Sequence, residues 1–181
     1  MTIKFRKEKN NIAMKLRKAI KFISRAALVG AIYAVLTLVL YPMSFGSVQF
    51  RFSEALTLLP MILPEAVPGL FVGCIVANLL SPNIVVLDVV FGSLATLIAA
   101  ILTSRVKSVW LAPLPPVLCN ALIVGAVIAY STAGAGAGFW PAYLFNMASV
   151  GFGELVVCYV VGVPLMLALR KVAPRIGLAL R

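Results

Sequence analysis

The feature that most constrains this chain is a series of apolar stretches, each about long enough to cross a lipid bilayer. The 181 residues are 62% hydrophobic, with a mean hydropathy of +1.08 and no histidine. A soluble domain has roughly 45–50% apolar residues and about 25% charged residues, whereas only 12% of this chain is charged. Since a helix satisfies its own backbone hydrogen bonds in lipid, we predict an all-α integral membrane protein.

Six transmembrane helices fit this length, because each needs about 20 residues. The predicted membrane domain covers 22–170, between a basic cytosolic tail at 1–21 and another at 171–181. Three prolines between positions 60 and 68 exclude one continuous helix there. The 29 residues of 52–80 are few for two full spans, so one helix of that pair is expected to be short, tilted or re-entrant. The predicted spans are 22–41, two helices within 52–80, 84–103, 111–130 and 141–169.

The net charge of +11 indicates membrane topology rather than nucleic-acid binding. Nine of the sixteen basic residues fall between Lys4 and Arg25, four close the chain, and Arg105 and Lys107 flank one internal loop. Basic residues concentrate on the cytoplasmic side of membrane proteins. We therefore predict a multi-pass protein with both termini in the cytoplasm, with the lipid bilayer around it and no nucleic-acid partner.

Four of the five carboxylates lie in sequence that is otherwise apolar, namely Glu54, Glu65, Asp88 and Glu154. A charged side chain in hydrocarbon is costly and usually faces a partner, a cavity or a substrate. At a rise of about 1.5 Å per residue, Glu154 lies ~24 Å from the cytosolic anchor Arg170, in the outer half of the membrane. We expect a ligand pocket that opens outward.

Each of the other polar residues in the predicted spans has two possible roles, one structural and one in ligand binding. Arg51 and Glu54 form either a local salt bridge on one helix face or ligand contacts. Asn120 and Asn146 either contact a ligand or join helices by hydrogen bonds, and Asp88 either pairs within the protein or faces the ligand. Glu65, in a proline-rich cytosolic turn, is expected to be solvated.

Small residues line one side of the first span. Ala27 and Ala31 form one pair four residues apart, and Gly30 and Ala34 form another beside it. Small residues let helix backbones approach closely, so this side either docks a partner or packs internally. The three cysteines are scattered and no histidine is present, so we predict no metal site, no cofactor and no catalytic residue.

Several segments resemble the QueT family, the queuosine-precursor transporters of bacteria. They are QFRFSEALTLLP (49–60), PGLFVGCIVAN (68–78), DVVFGSLAT (88–96), PVLCNA (116–121) and the pair Gly153-Glu154. That family is similar to the S components, the substrate-binding subunits of energy-coupling factor (ECF) importers. The resemblance implies a six-helix S-component bundle in the bacterial plasma membrane, with a pocket near the outer face.

The resemblance also implies partners and a ligand. The partners are a transmembrane coupling protein and two cytosolic ATPases. The coupling protein is contacted through an alanine motif, which Ala27 and Ala31 match, and Gly30 and Ala34 lie beside that motif. The ligand is a 7-deazaguanine base, most simply the 7-aminomethyl form. From ligand chemistry, Glu154 is assigned to one donor group of the base and Asp88 or Glu54 to another. The other candidate contacts are Asn120, Asn146, Gln49, Arg51, Phe50 and Trp140.

Two alternatives remain open at this point. One is an S component for another vitamin or nucleobase, and the other is a standalone, proton-coupled secondary carrier. An intramembrane enzyme is not supported, because no histidine and no nucleophile motif is present. The loop 42–51, with Ser44, Phe45, Gly46 and Ser47, is expected to cover the pocket as a lid.

Overall fold

The computed structural model describes residues 2–44, 49–82 and 85–176, and every regular element within these ranges is helical. Three helices contain stretches long and apolar enough to cross a membrane, and two shorter helices are also apolar. The prediction of an all-α membrane protein is therefore confirmed. In chain order the helices are α1 (Thr2–Val39), α2 (Tyr41–Ser44), α3 (Ala66–Leu79), α4 (Asp88–Thr103), α5 (Leu114–Ala133) and α6 (Phe139–Val172).

A 3-10 helix at Phe52–Met61 lies between α2 and α3 and takes the place of the predicted second span. Nine of its ten residues are buried. With a rise of about 2.0 Å per residue it extends only ~20 Å, which is less than the ~30 Å hydrocarbon thickness. This segment is the short helix expected from the limited length of 52–80.

Helix α1 continues through the predicted tail, since it runs unbroken from Thr2 to Val39. Its burial nevertheless changes along its length: residues 11–24 are exposed, and the first buried residue is Val29. No helix end therefore marks the predicted boundary at residue 22, and burial begins only beyond residue 24.

Helices α1 and α3 pack backbone against backbone at glycines. A Cβ on Gly30 would lie 2.7 Å from the carbonyl oxygen of Gly69, and a Cβ on Gly73 would lie 2.6 Å from the carbonyl oxygen of Gly30. Only a residue without a side chain permits this approach, as in other membrane helix pairs. This contact fixes α3 and places the 3-10 helix beside α1 in the main hydrophobic core.

The helices α4, α5 and α6 each contain one π-helical turn. These turns are Asp88–Gly92, Asn120–Val124 and Cys158–Gly162. A π turn widens the helix locally and occurs frequently at functional sites. Each of the three begins at a polar or sulfur-bearing residue: Asp88 and Asn120 belong to the two polar clusters described next, and Cys158 contacts Glu154 of one of them.

Candidate functional site

Two buried carboxyl groups meet in the middle of the bundle. Glu54, from the 3-10 helix, is fully buried, and Glu154, from α6, is 4% exposed. The two are close enough to interact electrostatically. The hydroxyl of Tyr33 on α1 donates to Oε1 of Glu54, and Asn120 Nδ2 on α5 donates to Oε1 of Glu154 at 2.6 Å. We call Tyr33, Glu54, Asn120 and Glu154 the central cluster.

The central cluster has unused acceptors. Among the described residues, Oε2 of Glu54 and Oδ1 of Asn120 are buried and have no hydrogen-bond partner. Oε2 of Glu154 has only a sulfur contact, at 3.7 Å from Cys158 Sγ. Most buried polar atoms of folded proteins are paired, and a lone buried acceptor costs about 1–3 kcal/mol. Several such acceptors in one place indicate a ligand that brings donors.

A second group of polar residues lies beside the first. Nη2 of Arg51 lies 3.6 Å from Oδ2 of Asp88 in an ion pair, and Asn78 Nδ2 donates to the carbonyl oxygen of Asp88 at 3.0 Å. Arg51 also interacts electrostatically with Glu54, which connects the two groups. We call Arg51, Asn78 and Asp88 the outer cluster.

The outer cluster also has unpaired oxygens and lies next to open space. Oδ1 of Asp88 and Oδ1 of Asn78 are buried without a partner among the described residues. The Asp88 side chain lies over Gly92, where a Cβ would come within 2.5 Å of Oδ1. A cavity of about 210 Å³ is lined by Asp88 and Gln49, among others. The outer cluster therefore borders this cavity through Asp88.

The chain entering the 3-10 helix is held against α6 at a glycine. A Cβ on Gly153 would overlap the carbonyl oxygen of Gln49, and the rings of Phe50 and Phe152 meet edge to face at 6.4 Å. Glu154 follows Gly153 directly, so this contact places Gln49 and Phe50 close to the central cluster. The predicted lid residues Phe45, Gly46 and Ser47 lie outside the described residues.

Five of the nine predicted substrate-binding residues are in the two clusters, and two of the others are not near them in the described contacts. Asn146 donates to the carbonyl oxygen of Ala142, in its own helix, at 2.8 Å. Trp140 is 67% exposed and packs with Phe139 and Tyr143 at the start of α6. This position is typical of an aromatic anchor at the membrane surface.

The row of small residues on α1 divides into two sides. Gly30 and Ala34 are buried, whereas Ala27 and Ala31 are exposed. All four line an apolar groove of about 530 Å³ between α1 and α3. One edge of this row is thus packed against α3 and the other is exposed; docking of a partner at the exposed edge stays a prediction.

Glu65 is paired rather than simply solvated. Its Oε1 lies 3.1 Å from Nη1 of Arg25 on α1, and its side chain is 14% exposed. The turn before α3 brings Glu65 beside the polar end of α1. Glu65 therefore forms an ion pair with Arg25, whereas the sequence predicted a solvated side chain.

Three contributors to the site have no strong signal in the sequence. Tyr33 looks like an ordinary residue of an apolar helix, Asn78 lies where a helix ends before a Ser-Pro-Asn turn, and Cys158 looks like a small core residue. A tyrosine in the middle of an apolar helix needs a buried partner for its hydroxyl. That need was the only signal for Tyr33.

Comparison with known proteins identifies relatives of the chain. The family model described as "QueT transporter" matches residues 23–171. The curated "Queuosine precursor transporter QueT" of Lactococcus lactis subsp. cremoris (strain MG1363) is 36% identical over 74 residues, which is 40% of this chain and 43% of that relative. The aligned segment thus spans less than half the length of that protein. No solved structure matches the chain significantly.

Proposed function

The chain belongs to the QueT transporter family, and we propose that it is the substrate-binding membrane subunit, or S component, of an ECF importer for a queuosine precursor. The family is one of transporters and not of enzymes. The proposed ligand is a 7-deazaguanine base, in its 7-aminomethyl form. The observation that carries this proposal is the set of buried, unpaired acceptors in the central and outer clusters.

The pyrimidine edge of the base suits the central cluster. That edge presents the ring N1–H and the exocyclic amino group side by side, and a carboxylate accepts both in bidentate fashion. Glu154 takes this role in our proposal, and its Oε1 also accepts from Asn120 Nδ2 at 2.6 Å, since each carboxylate oxygen has more than one lone pair. Oε2 of Glu54, unpaired among the described residues, accepts a further N–H of the base.

The aminomethyl group suits the outer cluster. A primary ammonium has three donors and one positive charge. Asp88 and Asn78 each offer a buried Oδ1 that lacks a partner among the described residues, and Asp88 adds a negative charge. Between the two assignments that ligand chemistry leaves open for the ammonium, this geometry favours Asp88 over Glu54.

The remaining predicted contacts receive weaker structural support. Gln49 lines the cavity next to Asp88, so its amide is placed to read the carbonyl or a ring nitrogen of the base. Phe50, already packed edge to face on Phe152, is the proposed stacking partner. Asn146 and Trp140 keep their proposed roles only if the ligand or the start of α6 moves toward them.

The proposed partners are a transmembrane coupling protein and two cytosolic ATPases. The exposed edge of the α1 groove, at Ala27 and Ala31, is the surface we assign to the coupling protein. The groove is apolar and lined by small side chains, and such surfaces let a second helix approach closely. We further propose that both termini face the cytoplasm, from the position of the basic residues.

The test is identification of the bound small molecule. The full chain is purified in detergent from cells supplied with the 7-aminomethyl base, and the extract is analysed by mass spectrometry. We expect about one 7-deazaguanine per chain, and a strong loss of it from Glu154→Gln. The matched control is Glu65→Gln, which removes a carboxylate that pairs with Arg25. Recovery of a different vitamin, or of no compound from either protein, would contradict the proposal.

A further inference from the structure

A basic cavity at one end of the bundle plays no part in the substrate site. It has a volume of about 490 Å³ and is lined by Met61, Ser104, Arg105, Val106, Lys107 and Arg170. Three of these six residues are cations, and no carboxylate of the described chain is among them. The cavity therefore concentrates positive charge from two separate elements, the loop after α4 and the end of α6.

The three cations lack an internal counter-charge. Both ion pairs among the described residues lie elsewhere, at Arg25 with Glu65 and at Arg51 with Asp88. Nη2 of Arg170 instead contacts Sδ of Met61 at 3.5 Å, which holds the guanidinium over the cavity. Like charges in one place repel, so a bound anion would stabilise this arrangement.

Aromatic residues mark the level of the cavity in the membrane. Lys107 is three residues before Trp110, whose side chain is 63% exposed. The hydroxyl of Tyr159 donates to the carbonyl oxygen of Trp110 at 2.8 Å. Trp and Tyr are enriched where the hydrocarbon core meets the headgroups. The exposed apolar side chains of Leu102 and Leu111 lie in the same stretch of chain, where acyl chains would run.

We propose that this cavity binds the phosphate of an anionic phospholipid such as phosphatidylglycerol. The planar guanidinium forks of Arg105 and Arg170 match two phosphate oxygens each, and Lys107 adds a point charge. Basic pockets between transmembrane helices bind anionic headgroups in this way. The same chemistry would hold a soluble phosphate ester, but the headgroup level of the cavity favours the lipid. The proposal goes beyond substrate transport, because it uses no residue of either cluster.

The two tryptophans of the chain provide a built-in test. Trp140→Phe leaves Trp110, next to the cavity, as the only indole reporter, and Trp110→Phe leaves Trp140 at the start of α6. Each protein is reconstituted in phosphatidylcholine vesicles that contain brominated phosphatidylglycerol or, at equal mole fraction, brominated phosphatidylcholine. We expect the brominated anionic lipid to quench Trp110 more strongly than the brominated neutral lipid, and to quench Trp140 equally.

Charge variants connect the excess quenching to the cavity. Replacing one cation near an anionic lipid lowers its preference about fivefold. Arg170→Gln should therefore reduce the excess, Arg170→Lys should keep most of it, and combined substitution of Arg105, Lys107 and Arg170 by Gln should abolish it. The control is Lys18→Gln with Lys21→Gln, two exposed cations of α1 outside the cavity.

Three results would overturn the proposal. They are equal quenching of Trp110 by both brominated lipids, an excess that persists without all three cations, and an excess that disappears equally in the Lys18 and Lys21 control. Competition with glycerol 3-phosphate distinguishes the source of the phosphate. Loss of the excess at millimolar ester would overturn the assignment to lipid, and an unchanged excess supports it.

Discussion

At the scale of single residues, the two central glutamates differ in how completely they are paired. Glu154 accepts from Asn120 at 2.6 Å and contacts Cys158 through its second oxygen. Glu54 accepts from Tyr33, but its second oxygen has no partner among the described residues. Glu154 is already held in one orientation, which favours it for directional recognition of a planar base.

Glu154→Gln keeps the size of the side chain and removes one charged acceptor. Hydrogen bonds to a charged group contribute about 1.5–3 kcal/mol, so binding of the 7-aminomethyl base should weaken about 10- to 150-fold. Calorimetric titration of the purified chain measures this loss. Glu65→Gln, at the Arg25 ion pair, should bind as the wild type does. Equal affinity of both variants would remove Glu154 from the site.

Gly153 is a positioning residue for the segment that enters the 3-10 helix. In Gly153→Ala the new methyl group would overlap the carbonyl oxygen of Gln49, so the segment must move. Overpacking of this kind costs about 1–3 kcal/mol, and thermal unfolding should show a lower midpoint, together with weaker ligand binding. Gly136→Ala is the control, because a Cβ there meets nothing within 4 Å. An unchanged midpoint in Gly153→Ala would show that the segment is not held at this glycine.

Several residues of the clusters that the sequence singled out share one physical property. Glu54, Asn120 and Glu154 are polar groups in apolar spans, and the cost of exposing them to lipid predicts that they turn inward. Tyr33 and Asn78 were missed because their side chains are compatible with a helix at the membrane surface. Only the packing of α1 and α3 shows that both are buried.

At the scale of elements, the seam between α1 and α3 has a packed edge and an exposed edge. Gly30 is buried against Gly69, whereas Ala31, the next residue, is exposed in the groove. Neighbouring positions on one helix therefore serve as a matched pair for a test of the coupling-protein surface.

Ala31→Trp should leave thermal stability and ligand binding unchanged and reduce recovery of the coupling protein, because a large ring would fill the exposed edge of the groove. Gly30→Leu should lower the unfolding midpoint, since its side chain meets the carbonyl oxygen of Gly69. Copurification of the ECF module with each variant, at equal amounts of folded chain, measures the difference. Recovery of the module by Ala31→Trp at the wild-type level would mean that the partner docks elsewhere.

The elements that could not be predicted from the sequence are those in which apolar residues do not recur at regular helical spacing. Prolines at 60, 64 and 68 predict a break but do not distinguish a tilted α-helix from the 3-10 helix at Phe52–Met61. The π turns could not be predicted from the sequence either, because one extra residue per turn leaves the composition of an apolar span unchanged. Continuity of α1 into the tail was missed since residues 2–21 are rich in charged side chains, although few of them disfavour a helix.

At the scale of the whole molecule, the polar groups described above lie in four places. The central and outer clusters lie inside the bundle, the basic cavity around Arg105 and Arg170 lies at one end, and the described cations of α1 from Lys15 to Lys21 are exposed. A cytoplasmic location for the two basic regions is our prediction from charge. Our proposal assigns ATP hydrolysis to the two partner ATPases and not to this chain.

The most direct test of this account is uptake of radiolabelled 7-aminomethyl-7-deazaguanine by proteoliposomes that contain this chain with and without the ECF module. An S component binds its ligand alone and moves it only with the module. We therefore expect retention of about one ligand per chain without the module, independent of a proton gradient, and accumulation beyond that level only when the module and ATP are present. Accumulation by the chain alone, driven by a proton gradient, would contradict the account and identify a secondary carrier.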